Sequence, residues 1–163
     1  MKTMNVFKKI AFALLLVTLA ACKGEAEQDD RWWPVDIHGK LQVKGRYLCN
    51  EKGEPITLRG VSYGWHNLWP RFYNAQTVKW LKNDWQCSVL RAAMGCYDGV
   101  EDGYMVNPEF ALDCIEKVVQ ASIDEGVYVI IDWHAHDFYP KEAKAFFGSM
   151  ARKYGKYPNV MYE

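Results

Sequence analysis

The stretch Val127-Tyr-Val-Ile-Ile-Asp-Trp-His-Ala-His136 passes from an apolar run to a cluster of groups that could do chemistry. Val127 to Ile131 is β-branched and apolar without interruption and is bounded by Gly126. Such a run suits a strand buried on both faces. Asp132, Trp133, His134, Ala135, His136 and Asp137 follow at once. An acid, an indole and two imidazoles in six positions can bind, polarise or move protons. The carboxyl ends of parallel strands are where α/β proteins collect such groups. One histidine there would read as a satisfied core residue; the whole cluster reads as a site.

The elements that must hold this cluster are legible on either side. Arg31 to Leu58 reads as a β-hairpin, with Leu41, Val43 and Tyr47-Leu48 strand-like and turn chemistry at Asn50 to Gly53. Strands then alternate with helices. Leu58 to Ser62 is a first strand, and a helix capped by Asn74 follows, its buried face marked by Val78, Leu81 and Trp85. Ser88 to Ala92 is a second strand, opening into a glycine-rich loop from Met94 to Val106. Asn107-Pro108 starts a longer helix with the stripe Ala111, Ile115, Val119 and Ile123, and Gly126 stops it. After the third strand, a helix from about Lys141 to Tyr154 carries Ala143, Phe146, Phe147 and Met150 inward. Val160 to Glu163 begins a fourth strand.

Strand–helix alternation implies right-handed crossovers and a parallel sheet, as in a doubly wound α/β sheet or a (β/α)8 TIM barrel. No glycine-rich phosphate motif follows any strand, which removes the usual reason for the doubly wound fold and calls for no cofactor. A barrel takes about 250 residues, so 35–163 is expected to be its N-terminal half: four strands and three helices preceded by a hairpin. The three strand ends would bring Trp65, His66 and Trp69, then Arg91 and Tyr97, then His134 and His136, to one rim. One cation, several imidazoles and a wall of indoles suit an uncharged, hydroxyl-rich ligand such as a sugar.

Composition narrows the field further. The chain has 163 residues, 20 basic against 20 acidic, so it lacks the electrostatic footprint of a nucleic-acid binder. Lys2, Lys8 and Lys9 precede an apolar run from Ile10 to Ala21 that ends in Leu19-Ala-Ala-Cys22. The pattern resembles the lipobox of bacterial lipoproteins, so 1–22 is expected to be a signal peptide with Cys22 lipidated, and 23–34 a polar tether. The product would be exported and membrane-anchored, at the outer membrane, cell surface or periplasm. A plain signal peptide would release it instead. Cys49, Cys87, Cys96 and Cys114 remain; three disulfide pairings or free buried thiols are all open.

Five blocks together carry a family resemblance. They are Leu58-Arg-Gly-Val-Ser62 with its Trp/His-rich loop, Phe72-Tyr-Asn74, Val89-Leu-Arg-Ala-Ala-Met94, Tyr128-Val-Ile-Ile-Asp-Trp-His134 and Tyr157-Pro-Asn-Val-Met-Tyr-Glu163. In this order they resemble glycoside hydrolase family 5, above all its bacterial endoglucanases. The resemblance implies a (β/α)8 barrel that hydrolyses β-1,4-glucans with retention, as a monomer, using two glutamates. It gives Arg91 the role of hydrogen-bonding the nucleophile, and His134 that of lining the subsite at the cleavage point. Gly64 stands where many members carry a histidine, and His66 is the candidate for that role. Trp69 is the sugar-stacking candidate, with Trp65, Tyr97 and His136 around it. Glu163 matches a non-catalytic glutamate, so both catalytic glutamates are expected beyond it and the 163 residues alone are expected to be inactive.

Two other readings compete. His134 and His136 could hold a metal with Asp132 or Asp137, as in metal-dependent barrel hydrolases. A surface lipoprotein that binds glucan without cleaving it would also use the aromatic loops.

Overall fold

The computed structural model of the protein describes residues 32–97 and 99–163. Cys22, the signal peptide and most of the tether lie outside the described residues. A short helix α1 (Pro34–His38) is followed by strands β1 (Gln42–Lys44) and β2 (Tyr47–Cys49), antiparallel to one another. The chain then runs through β3 (Gly60–Trp65), a 3-10 turn (Pro70–Phe72), α2 (Ala75–Asn83), β4 (Val89–Gly95), α3 (Pro108–Asp124), β5 (Tyr128–His134), α4 (Pro140–Tyr154) and β6 (Val160–Tyr162).

The main sheet has the order β3-β4-β5-β6, and every pair is parallel. Strands that add one after another, without the order reversing, build towards a barrel; a doubly wound sheet needs a reversal. The architecture is α/β, and a partial (β/α)8 barrel accounts for it.

The expected caps form. Asn74 Oδ1 accepts the backbone N–H of Thr77 at 2.9 Å, and Asn107 Oδ1 accepts that of Phe110 at 3.3 Å, with Pro108 opening α3. Ala111, Ile115, Val118 and Val119 of α3 are wholly buried against the sheet. Each of the Ile and Val side chains contributes about 1.5–3 kcal/mol on leaving water. Trp85 departs from expectation: α2 ends at Asn83, so Trp85 falls past the helix, 59% exposed and edge-on to Trp80.

The N-terminal boundary also differs from the hairpin expected over 31–58. α1 occupies its first part, and β1 and β2 turn at Gly45-Arg46. The backbone N–H of Val35 donates to Gly126 O at 3.0 Å. Gly126 has φ +63°, and a side chain there would run into the Trp33 ring, so glycine is required at this close approach. Lys82 Nζ lies 4.4 Å from the Trp33 ring centroid and 3.0 Å from Glu125 Oε2. Trp33 and Pro34 thus pack on the domain rather than trailing from it. The four cysteines from Cys49 to Cys114 are buried free thiols.

Strand alternation divides the sheet into two chemistries. Leu90, Ala92 and Met94 of β4 and Val129 and Ile131 of β5 are fully buried beneath the helices. On β5's helix side, Trp133 packs on Phe146 and Tyr104, with ring centroids 5.4 and 5.1 Å away. The intervening residues, Arg91 on β4 and Asp132 and His134 on β5, face the other way. That face carries the polar groups.

Candidate functional site

Arg91 is the hub of the polar face. Its register partner on β3 is Ser62, and Nη1 donates to Ser62 Oγ at 3.3 Å. Nε and Nη2 donate to the two carboxylate oxygens of Glu163 at 2.8 and 3.0 Å. Nη2 also lies 2.9 Å from Asp132 Oδ2 and 3.3 Å from His134 Nδ1. His134 Nδ1 is itself 3.1 Å from Asp132 Oδ2. Its nitrogen therefore sits between a donor and an acceptor, and serves one or the other according to its tautomer. Only a planar guanidinium with several fixed donors can engage all these groups at once.

The electrostatics follow from burial. Asp132 is 2% exposed, and loss of water raises its pKa above the usual carboxylate value, against the pull of Arg91 and His134. Glu163 is held below its usual value, chiefly by the hydrogen bonds from Arg91. Those same bonds raise the pKa of Arg91. The site is thus a fixed cation that keeps Glu163 ionised and aimed, while burial outweighs its pull on Asp132.

Beside this network lies an aromatic ridge. Trp65 ends β3, and its ring centroid is 5.2 Å from Tyr97, 5.4 Å from His134 and 5.7 Å from His136. Tyr97 and His136 are 5.2 Å apart, and His134 and His136 5.8 Å. Three strand ends contribute, as the sequence predicts for Trp65, Tyr97, His134 and His136. A bulge between Ser62 and Trp65 aims the indole: the register shifts there, and Gly64 takes φ +70°. A side chain at Gly64 would meet Trp69 Cδ1 at 2.9 Å, so the bulge and the loop beyond it depend on glycine.

Two expected ligand residues make none of the ridge's ring contacts. Trp69 is 43% exposed but stacks on Phe72, with the Arg71 guanidinium 5.2 Å from its ring. His66 has no exposed surface, and both ring nitrogens are committed to backbone: the Gly95 N–H at 3.2 Å and the Asp102 carbonyl at 2.9 Å. The bulge turns its ring inward, which spacing alone does not reveal. Asp132 is the residue that sequence reasoning undervalued, counting it in the strand-end cluster and weighing it as a metal ligand without giving it a place among the site residues. Its signal was present, two positions before His134 and therefore on the same face of the strand.

A metal at His134 and His136 fits poorly. The guanidinium already fills the space beside His134 Nδ1 and Asp132, and a second cation there would be repelled. Among the described residues no three His, Cys, Asp or Glu are grouped to hold an ion. Among the same residues no helix is long and apolar enough to cross a membrane.

A sequentially ordered parallel sheet with a cation–carboxylate hub and an aromatic rim at its strand ends fits one part of a (β/α)8 barrel with a site at its rim. Comparison with known proteins narrows this further. The family model for cellulase (glycosyl hydrolase family 5) matches residues 49–163, and the chain belongs to that family. It is 38% identical to an endoglucanase of Clostridium saccharobutylicum over 99% of this chain and 37% of that protein. It is 40% identical to endoglucanase N of Pectobacterium atrosepticum over 80% of this chain and 30% of that one. Among solved structures, a protein from Cytophaga hutchinsonii superposes with TM-score 0.74 at 43% identity, covering 80% of this chain and 42% of the other. The catalytic domain of a Thermobifida fusca endoglucanase gives 0.72 at 31% identity, over 80% and 44%; a variant of it was solved with cellotetraose. The chain spans between 30% and 44% of the length of these relatives.

Proposed function

We propose that the whole protein is a retaining endo-β-1,4-glucanase acting on cellulose-type polysaccharides, and that these residues supply the binding and orienting half of its site. The observation that carries this is Arg91 joined to Ser62, Asp132, His134 and Glu163 beside the ridge of Trp65, Tyr97, His134 and His136. Neutral sugar rings stack their C–H faces on such aromatics, and their hydroxyls hydrogen-bond the polar hub. Relatives named as endoglucanases support the substrate class.

Retaining hydrolysis uses two carboxyl groups about 5–5.5 Å apart. One protonates the leaving oxygen while the other attacks the anomeric carbon; water then releases the sugar with the first group acting as base. In this proposal both glutamates lie in sequence beyond Glu163, so residues 1–163 alone do not turn over. Arg91 acts on the nucleophile as it acts on Glu163, keeping it ionised and fixed in direction. His134 lines the subsite at the cleaved bond.

The leader ending at Cys22 supports an exported lipoprotein tethered by its N-terminus to a membrane. The test is an assay of the complete gene product on carboxymethylcellulose, mannan and xyloglucan side by side. Preferential cleavage of the first is expected, and cleavage of neither it nor xyloglucan would refute the reading.

A further inference from the structure

His66 occupies a place that a purely apolar side chain could fill, yet it spends both ring nitrogens on the loop opposite. The Gly95 N–H can only donate and the Asp102 carbonyl can only accept. The ring is therefore the neutral tautomer, with Nδ1 accepting from Gly95 and Nε2–H donating to Asp102. Those two partners bracket Tyr97 in sequence: one ends β4, and the other closes the loop that follows. The loop's neck is drawn tighter by the Tyr104 N–H donating to Gly95 O at 2.9 Å, and by Asn67 Nδ2 donating to Glu101 O at 3.2 Å.

Asp102 shows that the loop is held rather than relaxed. Its φ is +58°, a left-handed conformation that a non-glycine residue adopts at some cost. Two bonds keep it there: its carbonyl accepts from His66, and its Oδ1 accepts from Asn107 Nδ2 at 2.9 Å. Asn107 in turn caps α3. The ring thus links the end of β3, the neck of the Tyr97 loop and the start of α3.

We propose that His66 is a positioning residue: it fastens both sides of the Tyr97 loop to the end of β3 and so fixes the aromatic ridge against which the sugar chain lies. This rests on the glucanase reading above. His66 is buried and touches no substrate; it acts through Tyr97, whose ring packs on Trp65 and His136. The fastening requires a neutral ring, because a proton on Nδ1 would set two donors face to face. Burial already lowers the basicity of His66. The titratable groups facing the ring are Asp102, whose carbonyl it holds, and Tyr73, edge-on at 6.4 Å; Phe110 lies against it at 6.0 Å.

The test uses the complete protein with His66→Leu, which leaves both backbone partners unpaired, and His66→Gln, which restores a donor and an acceptor. Hydrogen exchange at the Gly95 and Tyr104 amides should quicken roughly tenfold in H66L, while the amides of β5 are unchanged. KM for cellotetraose should rise roughly tenfold with kcat within about threefold, and H66Q should fall between H66L and wild type. Uniform quickening across the protein, unchanged exchange at both amides, or a loss confined to kcat would overturn the proposal. If H66L does not fold, acidification decides: KM rising as the pH falls below the ordinary histidine range in wild type but not in H66Q supports the latch, and parallel profiles refute it. If the wild-type protein leaves cellotetraose intact, the glucanase reading falls and amide exchange alone decides whether His66 holds the loop.

Discussion

Asp132 and Glu163 share one guanidinium: Arg91 meets Asp132 at 2.9 Å, where that side chain is 3% exposed, and Glu163 at 2.8 Å, where that side chain is 52% exposed. The two carboxylates therefore respond to pH in opposite senses. Glu163 has its folded pKa below the ordinary 4.5, so its contribution to stability is present above that value and is lost as pH falls. Asp132 has its folded pKa above the ordinary 3.8, so its contribution is present below that value and is lost as pH rises through the folded pKa. Urea unfolding of the complete protein between about pH 3 and 7 should show both. Glu163→Gln should flatten the acid-side loss, and Asp132→Asn should raise stability relative to wild type as pH increases. The same slope in wild type and both variants would contradict this electrostatic account.

Trp65 is the ring common to three of the ridge's contacts, whereas Trp69 stacks on Phe72 in another direction. Trp65→Ala should raise KM for cello-oligosaccharides roughly tenfold with little change in kcat, and Trp69→Ala should do less. Steady-state kinetics on both variants check the ranking. A larger effect at Trp69 would place the sugar on the wrong side of the bulge.

Lys82 is buried between the Trp33 ring and Glu125, so it joins the N-terminal segment to the foot of the sheet. Lys82→Ala removes both the packing and the charge, and should cost about 2–4 kcal/mol. That is the low side for a broken buried pair, because the Glu125 side chain keeps 19% exposure. Lys82→Met with Glu125→Gln keeps the volume without the charges and should recover most of the loss. Denaturant titration of the three proteins would show it, and no recovery in the pair would mean that the ion pair itself is indispensable.

The interior of each strand was legible in sequence, and its outer end was not. The apolar runs expected at 58–62, 88–92 and 127–131 are strands, but each begins one or two residues later and continues three residues further, to Trp65, Gly95 and His134. Hydrophobic periodicity stops where the site begins, because those last residues serve ligands and neighbouring loops instead of the core. The helices with Asn caps, α2 and α3, start where their caps predict. Trp85 misled because its spacing continues the apolar stripe of α2 past the point where the helix ends. His66 misled for a different reason. A left-handed Gly64 and a register shift turn its ring inward, and neither feature leaves a mark on residue spacing. α1 was missed because a helix of five residues offers no periodicity to read.

Arg91 is the group on which the whole rim depends. Arg91→Lys in the complete protein keeps a cation beside Asp132 but cannot reach Ser62, Glu163, Asp132 and His134 together. The decisive measurement is release of reducing sugar from carboxymethylcellulose by wild type and by this variant, with folding confirmed by thermal unfolding. Wild type should cleave the polymer, and the folded variant should lose about a hundredfold in kcat. An inert wild type, or a lysine variant that cleaves as fast, would contradict the assignment of this rim to glucan hydrolysis.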